Sequence, residues 1–124
     1  MQTISTPSAP GAIGPYSQGQ ISGGFLFSAG QIPLIPESME MVTGSIEDQT
    51  RRVLQNLDAV LAAAGTTWTR VVKTTVFLTD LADFAAFNAV YGEHLAGAKP
   101  ARSTVQVAAL PKGAKVEIEL IAEI

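Results

Sequence analysis

Residues 100–124 read PARSTVQVAALPKGAKVEIELIAEI, and the order of polar and apolar residues in this stretch decides the fold. Val116, Ile118, Leu120, Ala122 and Ile124 alternate with Lys115, Glu117, Glu119, Ile121 and Glu123. Successive side chains of a strand point to opposite faces, so residues 115–124 are expected to form a strand whose first set meets a covering layer. Residues 102–109 predict another strand, joined to it through the turn-forming Leu110-Pro111-Lys112-Gly113-Ala114. Matching the two patterns puts Ser103, Val105, Val107 and Ala109 on the covered side and leaves Arg102, Thr104 and Gln106 beside the glutamates. Arg102 and Glu117 are therefore expected on one helix-free face. With a hairpin turn near Lys112-Gly113, Glu117 lies across from Ala108, six residues from Arg102. That is about 20 Å along the strand, too far for one small substrate, so a second chain is expected to complete any site that needs both.

Working back from this segment, Val71–Thr79 is rich in β-branched residues and has no breaker, which predicts a central strand. Before it, Ile46, Val53, Leu54, Leu57, Val60 and Leu61 trace a helical stripe. Ser45 is placed as the N-cap and Gly65 as the C-terminal stop, giving a helix over 46–64. Asp80 is expected to cap a second helix with the stripe Leu81, Phe84, Phe87, Val90, Tyr91 and Leu95, ending near Gly97. Gln18–Ser22 and Phe25–Ser28, separated by Gly23-Gly24, predict a hairpin. Residues 1–16, punctuated by Pro7, Pro10, Gly11, Gly14 and Pro15, read as an extended arm, and 30–44 as a long loop. The order is ββαβαββ, an α+β sheet with both helices on one face. The central strand is apolar on both sides, so the open face invites self-association.

The chain of 124 residues, 47% apolar, fits one domain over 1–124. A net charge of −3 with eight scattered Lys and Arg argues against a nucleic-acid partner. The absence of cysteine removes disulfides, thiolate zinc sites and a cysteine nucleophile, and a single histidine, His94, supplies little for catalytic zinc. No apolar run approaches the ~18 residues of a membrane span, and no signal peptide is visible, so a soluble cytoplasmic protein with no membrane partner is expected.

Several residues can carry chemistry, each with an ordinary alternative. Arg102, at a strand entrance after Pro100-Ala101, can hold a carboxylate by two parallel hydrogen bonds, or is a surface or salt-bridging arginine. Glu117, if partly buried, can shuttle a proton; otherwise it is a solvated strand residue. Tyr16 can wall a site or pack at a rim, and Gly30 in Ala29-Gly30-Gln31 can expose its N–H to a ligand or simply end a strand. Asn88 lies beside the second helical stripe. One histidine and no nucleophile elbow make a hydrolase triad a poor fit.

The blocks PGAIGPYSQ (10–18), SAGQIP (28–33), VVKTTVFLTD (71–80), DFAAFNAVY (83–91) and PARSTVQVAALPKGAKVEIELIA (100–122) resemble, in order, the signature segments of the Rid (YjgF-like, reactive intermediate deaminase) family. The resemblance spans nearly the whole chain. It implies a chorismate-mutase-like fold, a homotrimer whose sheets line a central barrel, and sites in the clefts between subunits. It also implies hydrolysis of short 2-imino acids, such as 2-iminobutanoate and 2-iminopropanoate released by pyridoxal-phosphate enzymes, to 2-keto acids and ammonia, with no cofactor. The family's carboxylate-binding arginine falls on Arg102 and its water-positioning acid on Glu117. Tyr16, Gly30 and Asn88 match further site positions, and Thr104 stands where many relatives have cysteine. Ala29 replaces a common serine, and Ile35 and Met39 replace polar and glycine residues of the loop; these departures bear on substrate preference. A non-enzymatic trimer that binds keto or amino acids or protein partners is the alternative. A ribonuclease reading, attached to some relatives by name, suits neither the negative charge nor the lone histidine.

Overall fold

The structure, a computed structural model, describes all residues from Met1 to Ile124. Strand β1 (Gln2–Ile4) is followed by β2 (Gly19–Ser22), β3 (Phe25–Ser28), helix α1 (Ile46–Ala63), β4 (Val71–Leu78), α2 (Phe84–Leu95), β5 (Ala101–Gln106) and β6 (Val116–Glu123). The expected ββαβαββ order is present, with β1 added where only an extended arm was foreseen. β1 pairs with β2, and one side chain holds the middle of the arm. Buried Gln18 accepts from the Thr6 amide at 2.7 Å and donates to the carbonyls of Thr6, Ala9 and Pro10 at 3.0, 3.2 and 2.8 Å.

Local chemistry explains most element ends. Gly23 and Gly24 have φ of 61° and 83°, the left-handed pair that a two-residue hairpin turn requires. The Ser45 hydroxyl accepts from the Asp48 amide at 3.2 Å, opening α1, and Gly65 at φ 76° follows its close. Asp80 caps a short 3-10 turn, Leu81–Asp83, ahead of α2 rather than α2 itself. The loop after β3 is ordered: Asn56, fully buried on α1, donates to the carbonyls of Ile32 and Leu34 at 3.2 and 3.0 Å.

The sheet runs β1-β2-β3-β6-β4-β5, antiparallel throughout except for the parallel β4/β5 pair. Both helices contribute to the core, which joins Val53, Leu54, Leu57, Val60 and Leu61 of α1 and Phe87 and Val90 of α2 to Val76, Leu78, Val116, Ile118 and Leu120 of the sheet.

This order corrects the expected hairpin between the last two strands. β4 lies between β5 and β6, because the helical crossover through α2 lays β5 parallel beside β4 and leaves the opposite edge of β4 for β6. The connection from β5 to β6 straddles the end of β4: the Val107 amide donates to Leu78 at 2.8 Å, and the Thr79 amide to Lys115 at 3.2 Å. The expected common face fails with it. Arg102 is the register partner of Thr74, which is buried on the helix-covered side, so Arg102 and Thr104 belong to that side. Glu117 pairs with Phe77 on the helix-free side. The apolar pattern misled because β5 is an edge strand, whose Val105 is 44% exposed and faces away from the helices.

Candidate functional site

Arg102 sits in a cradle made by one helical stripe. Phe84, Phe87, Asn88 and Tyr91 are spaced along one side of α2, so that all four reach the same point on β5. The guanidinium carbon lies 4.8 Å from the ring centroid of Tyr91, 5.5 Å from Phe84 and 5.8 Å from Phe87. One guanidinium nitrogen donates to Asn88 Oδ1 at 2.7 Å. Beside it opens a cleft of about 500 Å³ lined by Asn88, Tyr91, Gly92, Lys99, Pro100 and Arg102 among others. Two cations and no carboxylate face this space. The Arg51–Asp48 ion pair and the contact of His94 with Asp58 lie elsewhere, so Arg102 is half-buried without a counter-charge and retains unused donors.

Glu117 is the complementary case. It projects from β6 on the other face, half-buried and without a cation. Burial pushes its carboxyl pKa up from the ordinary value, and the like charge of Glu119 pushes the same way. β3 ends its pairing with Phe27 opposite Ile121, and Gln31 resumes it opposite Ile118, so the intervening segment carries one extra residue and bulges. Gly30 lies in this bulge against Glu117. A Cβ added there would come within 2.3 Å of Glu117 Oε2, so glycine is needed for close approach. The Gly30 amide makes no hydrogen bond within the chain, whereas its neighbours Ala29 and Gln31 both donate to backbone carbonyls.

The candidate residues thus fall into separate places. Arg102 and Asn88 share the cleft, Glu117 and Gly30 share the bulge, and Tyr16 lines a third, smaller hollow with Thr3, Ser5 and Ser17, its hydroxyl accepting from the Ile13 amide at 3.4 Å. Thr104 does not line the Arg102 cleft; its hydroxyl is buried and has no partner. Arg102 and Glu117 are three residues apart along β4, by their partners Thr74 and Phe77, and on opposite sides of that strand. That amounts to roughly 14 Å between backbones, with the side chains on opposite faces. Sequence reasoning assigned Phe84, Phe87 and Tyr91 to the core and missed their part in holding Arg102. Their spacing with Asn88 was the available signal.

A family model described as Endoribonuclease L-PSP matches residues 6–124. The chain belongs to the Rid (YjgF, L-PSP) family. Among the relatives of this Rid protein, Protein DfrA of Myxococcus xanthus is 56% identical over 98% of this chain and 94% of that one. The human 2-iminobutanoate/2-iminopropanoate deaminase is 45% identical over 98% of this chain and 88% of its own. The crystal structure of Escherichia coli TdcF with bound serine superposes with a TM-score of 0.95, at 46% identity, covering 100% of this chain and 99% of that one. Two helices packed on one mixed sheet are thus the Rid architecture. No helix of this Rid protein is long and apolar enough to cross a membrane.

Proposed function

We propose that this Rid protein is a cofactor-independent deaminase that hydrolyses short 2-imino acids to 2-keto acids and ammonia, acting in the cytoplasm on imines released by pyridoxal-phosphate enzymes. The observation that carries the reading is Arg102, a half-buried guanidinium with no counter-ion, opening on a cleft free of carboxylates. Such a group calls for an anion, and a planar fork suits a carboxylate. The name of the human relative supplies the substrate class.

In this reading the active form is a homotrimer. Phe25, Phe27 and Val105 are exposed on the helix-free face, beside the half-buried Phe77 and Ile121, and packing of sheet against sheet removes them from water. Glu117 lies on that face and Arg102 on the other, so one copy's cleft has to meet a neighbour's bulge to complete a site. Arg102 then binds the substrate carboxylate, and Asn88 fixes the guanidinium. The unused Gly30 amide offers a further donor, and Tyr16, which within one chain lines a separate hollow, walls the cleft from the neighbouring copy. Glu117, deprotonated, takes a proton from water as the oxygen attacks the imine carbon. Glu117 returns that proton to nitrogen, giving a carbinolamine; it then takes the hydroxyl proton as the carbonyl forms and passes it to the amine, so that the carbon–nitrogen bond breaks and ammonia departs. Thr104 follows Arg102 by two residues on the same side of β5, and its hydroxyl, which has no partner within the chain, helps to orient the substrate.

A ribonuclease reading, which the family description raises, finds little support in His94, whose Nε2 is held by Asp58 at 2.8 Å away from the Arg102 cleft. The test is to generate 2-iminobutanoate with a threonine dehydratase and follow its capture by semicarbazide. Protein far below the imine concentration should cut the yield of semicarbazone. An unchanged yield, with keto acid still binding, would leave the non-enzymatic trimer as the better description.

A further inference from the structure

Tyr91 has no task in the reaction just described, yet it makes the nearest ring contact to Arg102. Its ring centroid is 4.8 Å from the guanidinium carbon, and only 7% of the residue is exposed. Its hydroxyl is paired at 2.8 Å with Oγ1 of Thr74, which is fully buried and is the register partner of Arg102 on β4. One hydrogen bond therefore fixes the ring under the guanidinium from the strand next door, while Asn88, one turn earlier on α2, fixes a nitrogen from the side. The phenol is also kept neutral. Burial raises its pKa, against smaller opposing effects of Thr74 and Arg102, so it does not become a phenolate that would use up the Arg102 charge.

We propose that Tyr91, locked by Thr74, is a positioning residue that presets the Arg102 guanidinium for the substrate carboxylate. The inference rests on the reading of Arg102 as the carboxylate clamp. A long arginine side chain loses rotamer freedom when it grips an anion, and a ring that already fixes the guanidinium moves that cost from binding to folding. The aromatic face holds the cation mainly through its π-electrons, whereas a carboxylate partner would take up two of the N–H groups that bind the anion.

The experiment measures the Kd of 2-oxobutanoate, a stable keto acid, by calorimetry on the intact protein, together with KM and kcat for the imine. Tyr91→Leu removes the ring and is expected to weaken binding about tenfold. The pair Tyr91→Phe with Thr74→Val removes both hydroxyls together, so no buried polar group is stranded and the fold is kept. It should weaken binding about threefold. Both should raise KM with little change in kcat, and neither should weaken binding further when Arg102 is already alanine. If Tyr91→Leu does not fold, the Phe/Val pair decides alone. Wild-type affinity in these variants, alongside weak binding by Arg102→Ala, overturns the role of Tyr91 and leaves the clamp standing. An equal loss with and without Arg102 overturns it as well, since it marks a merely structural effect. Wild-type affinity in Arg102→Ala itself removes the clamp and the inference together.

Discussion

Arg102 and Glu117 are both charged, half-buried and without a counter-ion, and the protein supports them by opposite means. The guanidinium is given partners that respect its charge, three aromatic faces and the oxygen of Asn88. The carboxylate is given almost none: Gly30 presses against it, Glu119 repels it, and its pKa rises. The difference follows from chemistry. An arginine stays ionised in any protein setting, so it has to be stabilised as a cation, whereas a carboxylate can meet burial by taking up a proton. One region is built to hold a fixed charge and the other to make a charge labile, which is the division that an anion clamp and a proton carrier need.

The most severe way to break the comparison is to remove each charge. Glu117→Gln keeps shape but cannot accept a proton, and turnover is expected to fall by ~10²-fold or more while 2-oxobutanoate still binds. Arg102→Ala should lose at least about tenfold in kcat/KM through the missing bidentate contact, with the fold intact by circular dichroism. Mixing the two impaired proteins under conditions that exchange subunits should raise activity above that of either alone, because intact clefts and intact bulges then meet across an interface. Exchange verified by mass with no recovery would argue that each site is confined to one chain.

Gly30→Ala tests the carboxylate side more gently. The new Cβ collides with the far end of Glu117, which can swing away, so stability should change little while turnover drops by roughly ten- to a hundredfold through misplacement of the acid. Activity at the wild-type level in this variant would show that the position of Glu117 is not critical.

A third measurement uses stability. A carboxyl whose folded pKa is raised favours folding most below its unfolded pKa, and that contribution is lost as pH climbs through the folded value. Wild type and Glu117→Gln should therefore melt together near about pH 4, with the glutamine protein becoming the more stable as pH rises to neutrality. The reverse order at neutral pH would mean that a cation from another copy faces Glu117 in the assembly.

The smallest effect lies away from both regions. Met39 holds φ at 60°, in a loop closed by the Ile35 amide on the Glu40 carbonyl and the Met39 amide on Ile35. Met39→Gly should relieve about 1 kcal/mol of backbone strain, seen as a higher melting temperature with unchanged activity. A fall in activity would tie this loop to one of the two regions.

The sequence by itself determined whatever depends on neighbours along the chain. The Gly23-Gly24 turn, the Ser45 cap, the α1 stripe and the strict alternation from Val116 each express a local rule, and each stands within a residue or two of its expected place. The two residues most worth testing, Arg102 and Glu117, were also legible, through a polar residue type at a strand position and through resemblance. Tertiary structure alone decided how they are presented. Alternation in residues 101–106 says that Arg102 and Val105 face opposite ways, but not which way is covered. That depends on β5 lying parallel beside β4, with Arg102 opposite Thr74, a pairing between segments separated by a helix. The same long-range placement put Tyr91 under Arg102, left both charges without partners and inserted β4 between β5 and β6. Register and strand order are set by which distant surfaces fit together, and no window of sequence short enough to read by periodicity contains both surfaces.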